Sequence, residues 1–398
     1  MLGYIATDEG EQMPLFARLI RSMYGTRQAA LNWFVTFDSE LTKLGFTRSK
    51  IEAGIYKRED VIILIWVDDI VLVGPVEQVN RAKNELKQRF NVKDLGPIKR
   101  GTFLGMRVVR DRQKRQIFLC QDAYIERILS RFGMARAHGV HTPIENGKKF
   151  HNRHDGEEAF DQQRYQEMVG AINYAAVATR GDLSFAIGLL GRYAADPTMD
   201  HAGGVKRILR YLRKTAGLRL CLGDQRGDRA FKGFRIYADA DFAGDVDGMK
   251  STSGMVIVDR FRSVIGWRST KQTITAKSTA DAEFIATAMA MENGWMYDLE
   301  REIHGESGNT RPPLSVFNDN EPCISNINHG DFQPPNRHIG VKYFWICDMV
   351  KLGEAQVEYI STHDMIADGF TKGLDRVKHN CFLLSLGLYE NDDKDADG

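Results

Sequence analysis

No stretch of this 398-residue sequence approaches the roughly 20 consecutive apolar residues that a helical membrane span needs, so none is expected. The opening residues, Met1-Leu-Gly-Tyr-Ile-Ala-Thr-Asp8, lack the basic and apolar regions of a secretory signal. Cysteine is sparse. The five residues Cys120, Cys221, Cys323, Cys347 and Cys381 are odd in number, far apart and never in C-x-x-C pairs. That argues against a zinc site and a disulfide framework, and for a reducing compartment. Net charge is also nearly absent, at +1.

The charge that is present is unevenly spread. Residues 1–220 carry 35 Lys and Arg against 25 Asp and Glu, whereas residues 221–398 carry 19 against 28. The densest basic stretch is 81–115, with 12 basic residues and 3 acidic ones. Such a surface attracts phosphate backbones, although an ordinary solvated face reads the same way.

Periodicity gives an α/β (α+β) chain. Residues 61–67 and 70–74 are apolar and β-branched runs meeting at Asp68-Asp69, which predicts a hairpin with carboxylates at its turn. A charged helix is expected over 79–90, a strand over 103–109 and a helix over 123–134 that Gly133 stops. Residues 135–162 are polar and aperiodic, and are expected to be a solvated linker. Their four histidines, His138, His141, His151 and His154, match no ligand spacing. Helical patterning resumes over 166–218, ending in a basic amphipathic stretch at 204–214. Beyond it come strands over 234–240 and 254–267, a long helix over 278–303 capped by Ser278 or Thr279, and a strand over 314–317. Helices over 320–328 and 338–352, a strand over 357–361 and a helix start over 365–372 complete a mixed domain. The tail, 390–398, holds five acids and one lysine and is expected to be disordered.

Four acids fall at element ends of that last region: Asp239 ends its first strand, Glu283 lies in the first turns of the long helix, Asp319 follows a strand, and Asp368 opens the last helix. Acids so placed can converge on one sheet edge. Two divalent cations need such a cluster, and hard cations such as Mg²⁺ select oxygen ligands. Four acids among 53 would be unremarkable surface groups without the motifs around them.

Those motifs are Tyr237-Ala-Asp-Ala-Asp-Phe-Ala-Gly-Asp245, Lys250-Ser-Thr-Ser-Gly254, Ser278-Thr-Ala-Asp-Ala-Glu-Phe284, Asn318-Asp-Asn320, Arg337-His-Ile339 and Ile366-Ala-Asp-Gly-Phe-Thr-Lys372. In order and spacing they resemble the ribonuclease H of copia-type LTR retrotransposons. Upstream, Met23-Tyr-Gly-Thr-Arg-Gln-Ala-Ala-Leu-Asn-Trp33 and Trp66-Val-Asp-Asp69 resemble the Y-G-L-K-Q-A-P-x-x-W segment and Y-V-D-D box of the same element's reverse transcriptase. Asp94-Leu-Gly96, Phe103-Leu-Gly105, Thr142-Pro143, Val169-Gly170 and Thr179-Arg180 extend the likeness, which runs from about residue 15 to 388.

The resemblance implies a partial reverse-transcriptase palm over 1–115, a thumb- or connection-like helical region over 116–228 and an RNase H-like mixed-sheet domain over 229–389. It implies catalytic and metal-ligating roles for Asp239, Glu283, Asp319 and Asp368, with two Mg²⁺ or Mn²⁺ ions as cofactors. Asp239 would be shared by both ions, Glu283 and Asp319 would hold one, and Asp368 would hold the other. Asp68 and Asp69 would be metal ligands of the polymerase. The partner is an RNA–DNA hybrid, gripped by Gln28, Arg81, Lys83, Lys87, Arg89, Lys99, Arg100, Lys206, Arg207 and Arg210. Other Pol or Gag products of the element are further partners, and the location is the cytoplasm, in a virus-like particle, or the nucleus. Departures bear on the first half. Few acids precede Met23, and none in strand context, so the palm's third aspartate is missing and polymerase activity is expected to be lost. Trp66 and Ala30 replace the usual tyrosine and proline, while Gly340 and Phe344 depart from the nuclease pattern. Two rivals stand beside this reading: a non-catalytic remnant that binds nucleic acid, and a polymerase completed by a partner chain.

Overall fold

The apolar run after residue 60 folds as its alternation requires, and its turn has only two residues. The computed structural model describes residues 4–6, 12–14, 22–23, 25–98, 100–223, 233–306, 311–329 and 337–390. The expected disordered tail past Glu390 therefore lies outside the described residues, as does Lys99. The chain divides into two compact units, Met1–Leu95 and Gly96–Gly398.

In the first unit, β1 (Tyr4–Ala6) pairs with β2 (Gln12–Pro14), and helix α1 (Arg27–Lys43) follows. The strands β3 (Thr47–Arg48), β4 (Ile55–Arg58), β5 (Val61–Trp66) and β6 (Asp69–Val73) form an antiparallel sheet in sequence order. Helix α2 (Val76–Arg89) completes the unit. Thr26 caps α1 by accepting the N–H of Ala29. Phe37 and Leu41 of α1 and Ala82 and Leu86 of α2 pack on Tyr56, Val61 and Ile63, so the sheet buries one face under two helices. Trp66 pairs with Asp69, leaving Val67 and Asp68 as the whole connection between β5 and β6. Two-residue hairpins favour positive φ, and Val67 adopts φ +55°, an uncomfortable conformation for a β-branched residue. Its carbonyl accepts from the Trp33 indole at 3.4 Å.

The second unit opens with β7 (Arg100–Phe103), β8 (Met106–Asp111) and β9 (Gln116–Cys120). The single strand expected over 103–109 is thus a hairpin, turning on Leu104 and Gly105, both at positive φ. Because β8 pairs with β9, and β9 with β10 (Arg219–Gly223), this hairpin belongs with the second unit, although the expected boundary at 115 grouped it with the palm. Helix α3 (Asp122–Arg131) stops where Gly133 takes φ +73°. The helical pattern over 166–218 resolves into α4 (Gln162–Ala178), α5 (Ser184–Gly191) and α6 (Met199–Lys214). They bury one core with α3, to which α6 contributes Ala202, Val205, Ile208, Leu209, Tyr211 and Leu212.

The segment 135–161 has no helix or named strand, yet it is not the solvated linker expected. It buries Ile144 and Phe150 and lies along α6. Arg210 donates to the carbonyl of His138 at 2.8 Å and Arg213 to that of Ala135 at 2.8 Å, while Arg207 pairs with Glu145 at 2.7 Å. The basic residues of α6 are the reason: they give a polar, aperiodic backbone the donors it lacks.

The remaining strands form the sheet that positions the acids. They are β11 (Arg235–Ala240), β12 (Thr252–Val258), β13 (Val264–Lys271), β14 (Leu314–Asn318) and β15 (Ala355–Tyr359), in the order β13-β12-β11-β14-β15. β11, β12 and β13 are antiparallel neighbours, whereas β11-β14 and β14-β15 are parallel. This mixed five-stranded order is that of an RNase H-like fold, as the sequence led us to expect. The stretch 254–267 is two strands, because Asp259 caps a turn by accepting the N–H groups of Phe261 and Ser263. The long helix is also two, α7 (Thr279–Met291) and α8 (Trp295–Ile303). They break at Gly294, where a Cβ would lie 3.0 Å from Leu314. On one face of the sheet α7, α9 (Glu321–His329) and α10 (Arg337–Lys351) share a core. On the other lie a 3₁₀ turn (Ile366–Phe370), which replaces the helix expected over 365–372, and α11 (Arg376–Ser385). The last strand, β16 (Leu388–Tyr389), pairs with β10.

α11 is tied to the helical layer by a fully buried ion pair. Arg180 grips Asp182 through two bonds of 2.9 and 2.8 Å and also bonds Thr215. Tyr211 donates to Asp182 at 2.6 Å, and His379 of α11 meets the Tyr211 hydroxyl at 2.8 Å. Burial alone would raise the Asp182 carboxyl, yet Arg180 holds it below its ordinary value. Asp182→Ala would strand a buried guanidinium and is expected to cost about 3–5 kcal/mol in urea unfolding followed by tryptophan fluorescence. A cost under about 1 kcal/mol would mean that the pair does not hold these helices.

Candidate metal centre

Asp239 is the fifth residue of β11, Glu283 the fifth of α7, and Asp319 directly follows β14. Since β11 and β14 are parallel neighbours, their C-terminal ends meet at one edge, and the N-terminal turns of α7 point there too. One carboxylate oxygen from each acid lies within 4.8 Å of the others, the one such acidic or metal-ligating group among the described residues. Asp368, in the 3₁₀ turn, is not among the three that converge; its carboxylate is ion-paired with Lys372.

Each converging acid is also held by a neutral donor. Thr371 donates to Asp239 at 2.6 Å, the buried Asn318 amide to Glu283 at 3.1 Å, and Thr362 to Asp319 at 2.7 Å. One oxygen of each is thereby fixed, which orients the other. Asn318 and Thr371 stand inside motifs that assign them no task, and nothing in the sequence marks Thr362. Their common signal is placement: Asn318 precedes Asp319, Thr371 lies three residues past Asp368, and Thr362 follows β15.

The electrostatics are those of a centre short of positive charge. Burial pushes the Asp239 carboxyl up to about 7 and Glu283 up to about 9, and repulsion between the acids adds to both. A group of three carboxylates, two of them buried and raised, suits a hard divalent cation and offers soft metals nothing. The residues present therefore fit the metal site that the sequence implied.

A glycine admits the fourth acid. Gly254 of β12 pairs in register with Asp239. A Cβ there would stand 2.7 Å from the carbonyl of Ala367 and 2.8 Å from the Thr371 methyl. The turn carrying Asp368 can therefore sit against the sheet only because position 254 has no side chain.

The other expected site residues do not join this centre. Asp68 and Asp69 are exposed at their hairpin, with no third acid completing a metal group among the described residues. Gln28 is exposed and donates to Asn32. Arg81 pairs with Glu59, Lys83 and Lys87 with Asp94, and Arg89 with Glu40. Arg207 and Arg210 are engaged with segment 135–161, and Lys206 lies over the Phe160 ring. Arg100 opens β7. Phe344, on α10, is 60% exposed, whereas Gly340 is buried.

Sheet order and acid placement define an RNase H-like domain, and comparison with known proteins supplies its context. Residues 3–146 match the family described as reverse transcriptase (RNA-dependent DNA polymerase). The retrovirus-related Pol polyprotein from transposon TNT 1-94 of Nicotiana tabacum is 33% identical over 389 residues, covering 95% of this chain and 28% of that protein. That from transposon RE1 of Arabidopsis thaliana is 32% identical over 378 residues, covering 93% and 25%. Among solved structures, an LC11-RNase H1 in complex with RNA/DNA hybrid matches 35% of this chain and 93% of its own at 18% identity, with a TM-score of 0.26. The chain belongs to the copia-type retrotransposon Pol polyproteins, as a region with reverse-transcriptase sequence and an RNase H-like fold. It spans about a quarter of the length of the curated relatives it matches.

Two expectations follow. Because both folded-state carboxyls sit above their ordinary values, the stability they contribute is complete below about pH 4 and is lost as pH rises through 7 towards 9. Asp239→Asn in EDTA should therefore melt about 4 °C or more above the parent at pH 9, the gap narrowing towards pH 4; a variant that melts lower at pH 9 contradicts the assignment. Gly254→Ala forces the 3₁₀ turn away and should cost about 1–3 kcal/mol in chemical denaturation. No measurable cost would show that the turn yields freely.

Proposed function

We propose that this chain is a retroelement ribonuclease H joined to part of a reverse transcriptase, and that it hydrolyses the RNA strand of RNA–DNA hybrids with two divalent cations, Mg²⁺ or Mn²⁺. The observation that carries the reading is the meeting of Asp239, Glu283 and Asp319 within 4.8 Å at the open end of the sheet. In this proposal Asp239 serves both cations, Glu283 and Asp319 complete one position, and Asp368 completes the other. Bound there, the cations would supply Lewis acidity at the scissile phosphate and a water made acidic enough to attack it. The chain's own part is to hold the acids still: Thr371, Asn318 and Thr362 fix one oxygen apiece, which spares the site reorganisation during reaction. Selection of RNA would come through its 2′-hydroxyls in the minor groove.

Asp68 and Asp69 are exposed at their hairpin and no third acid joins them among the described residues, so this reading places the chemistry at the nuclease centre. Gln28, the basic residues of α2 and α6, Lys99 and Arg100 remain candidate contacts to the hybrid backbone. Their existing ion pairs are mostly exposed and weak enough to exchange for phosphate. Other Pol or Gag products of the element are proposed partners, and the cytoplasm, in a virus-like particle, or the nucleus the proposed location. No described helix is long and apolar enough to cross a membrane.

The test is direct. The purified chain with Mg²⁺ or Mn²⁺ should cut a labelled RNA–DNA hybrid and spare single-stranded RNA and duplex DNA. Asp239→Asn should abolish cutting, and Asn318→Ala should slow it about 10–100-fold. A folded sample that leaves the hybrid intact with both metals sinks the proposal and favours a remnant that only binds nucleic acid.

A further inference from the structure

The turn that carries the fourth acid also carries a cation. Lys372 reaches back four residues to pair with Asp368. Its side chain is 51% exposed, that of Asp368 only 20%. The backbone between them is pinned: the Thr371 hydroxyl bonds Asp239 and lies 2.9 Å from the Asp368 carbonyl, and the turn is seated on Gly254. Of this group only the lysine has a long, solvated, four-carbon stem free to leave. Its charge reaches Asp239 and Asp319 as well as Asp368, so it stands where positive charge is most needed.

We propose that Lys372 is a resident counter-ion: without metal, its ammonium holds the Asp368 carboxylate that the second divalent cation requires, and metal binding displaces it. This rests on the two-cation reading above. The arrangement has a physical logic. A metal-free cluster of four acids repels itself, and a fixed cation would leave no room for metal. A half-exposed lysine pair is worth little, so a divalent cation with several oxygen ligands outcompetes it. Asp368 would then be kept oriented and desolvated, yet available. The cost is competition, paid as weaker binding of the second ion.

The experiment is calorimetric titration of Mn²⁺ into the EDTA-treated full chain, with melting measured in EDTA and at saturating metal. Lys372→Met should bind the second ion about two- to fivefold more tightly than the parent. It should also melt lower in EDTA and gain more from metal. Lys372→Arg, which keeps the pair, should stay near the parent. Lys378→Met, which removes one exposed charge elsewhere, should leave both affinities unchanged. If Lys372→Met does not fold, Lys372→Gln carries the same test.

A parent that binds two ions while Lys372→Met binds the second no more tightly overturns the inference alone. So does an equal gain in Lys378→Met, since that is only bulk charge. One ion in the parent and two in Lys372→Met supports displacement; one in both overturns it. A parent that binds no metal overturns the two-cation reading and this inference together.

Discussion

Everything at the open end of the β11–β15 sheet answers to one constraint, the crowding of acids in a place water barely reaches. Asp239 is 5% exposed and Glu283 3%, so ionising either costs more than it would in solvent, and both hold their protons to higher pH. The surrounding fold is arranged to make this tolerable. Neutral donors take one oxygen of each converging acid, a lysine lies beside the fourth, and a strand glycine lets that acid approach. None of these groups makes the cluster stable. They hold it short of collapse, which is the condition under which a cation is bound rather than merely attracted.

The first unit is organised differently. Its acids, Asp68 and Asp69, lie in the open at the end of a hairpin and need no compensation. The strain there is in the backbone, at Val67. Its basic helix α2 is balanced locally by Glu59, Asp94 and Glu40, so a stretch that reads as strongly positive in the sequence presents less free charge than its composition suggests. The same holds for α6, where Arg210 and Arg213 spend hydrogen bonds on the chain's own carbonyls and Arg207 pairs with Glu145. Basic residues counted along a sequence are donors first, and which acceptor they find depends on what the fold leaves unsatisfied.

How much of this was legible beforehand follows from the range of the signals. The β5–β6 hairpin, the helix stop at Gly133 and the cap at Ser278 are local, written in neighbours, and they formed as read. Short strands such as β3, β4, β9 and β10 were missed, because two to five residues give too few alternations to stand out. The breaks within 166–218 and at Gly294 were missed for the opposite reason: periodicity continues across a break when both helices face the same core. For the site, the acids were readable from motifs, but the convergence of three and the separate state of Asp368 depend on contacts across many residues. Gly254 closes the Lys250–Gly254 motif, and only the neighbouring turn gives it a purpose.

The pairing of β16 with β10 has a further consequence. It joins Arg219 to Tyr389 across the whole intervening β11–β15 sheet, and His379 of α11 reaches Tyr211 by the same route. The helical layer thus cannot finish its own packing until the last strand has been synthesised. During translation the chain would pass through a long interval in which β10 is an open edge and the Tyr211 hydroxyl has Asp182 but not yet His379, a slow, non-local closure of the kind that limits folding rate. The RNase H-like domain and the helical region before it are, in that sense, a single folding event rather than two modules on a string.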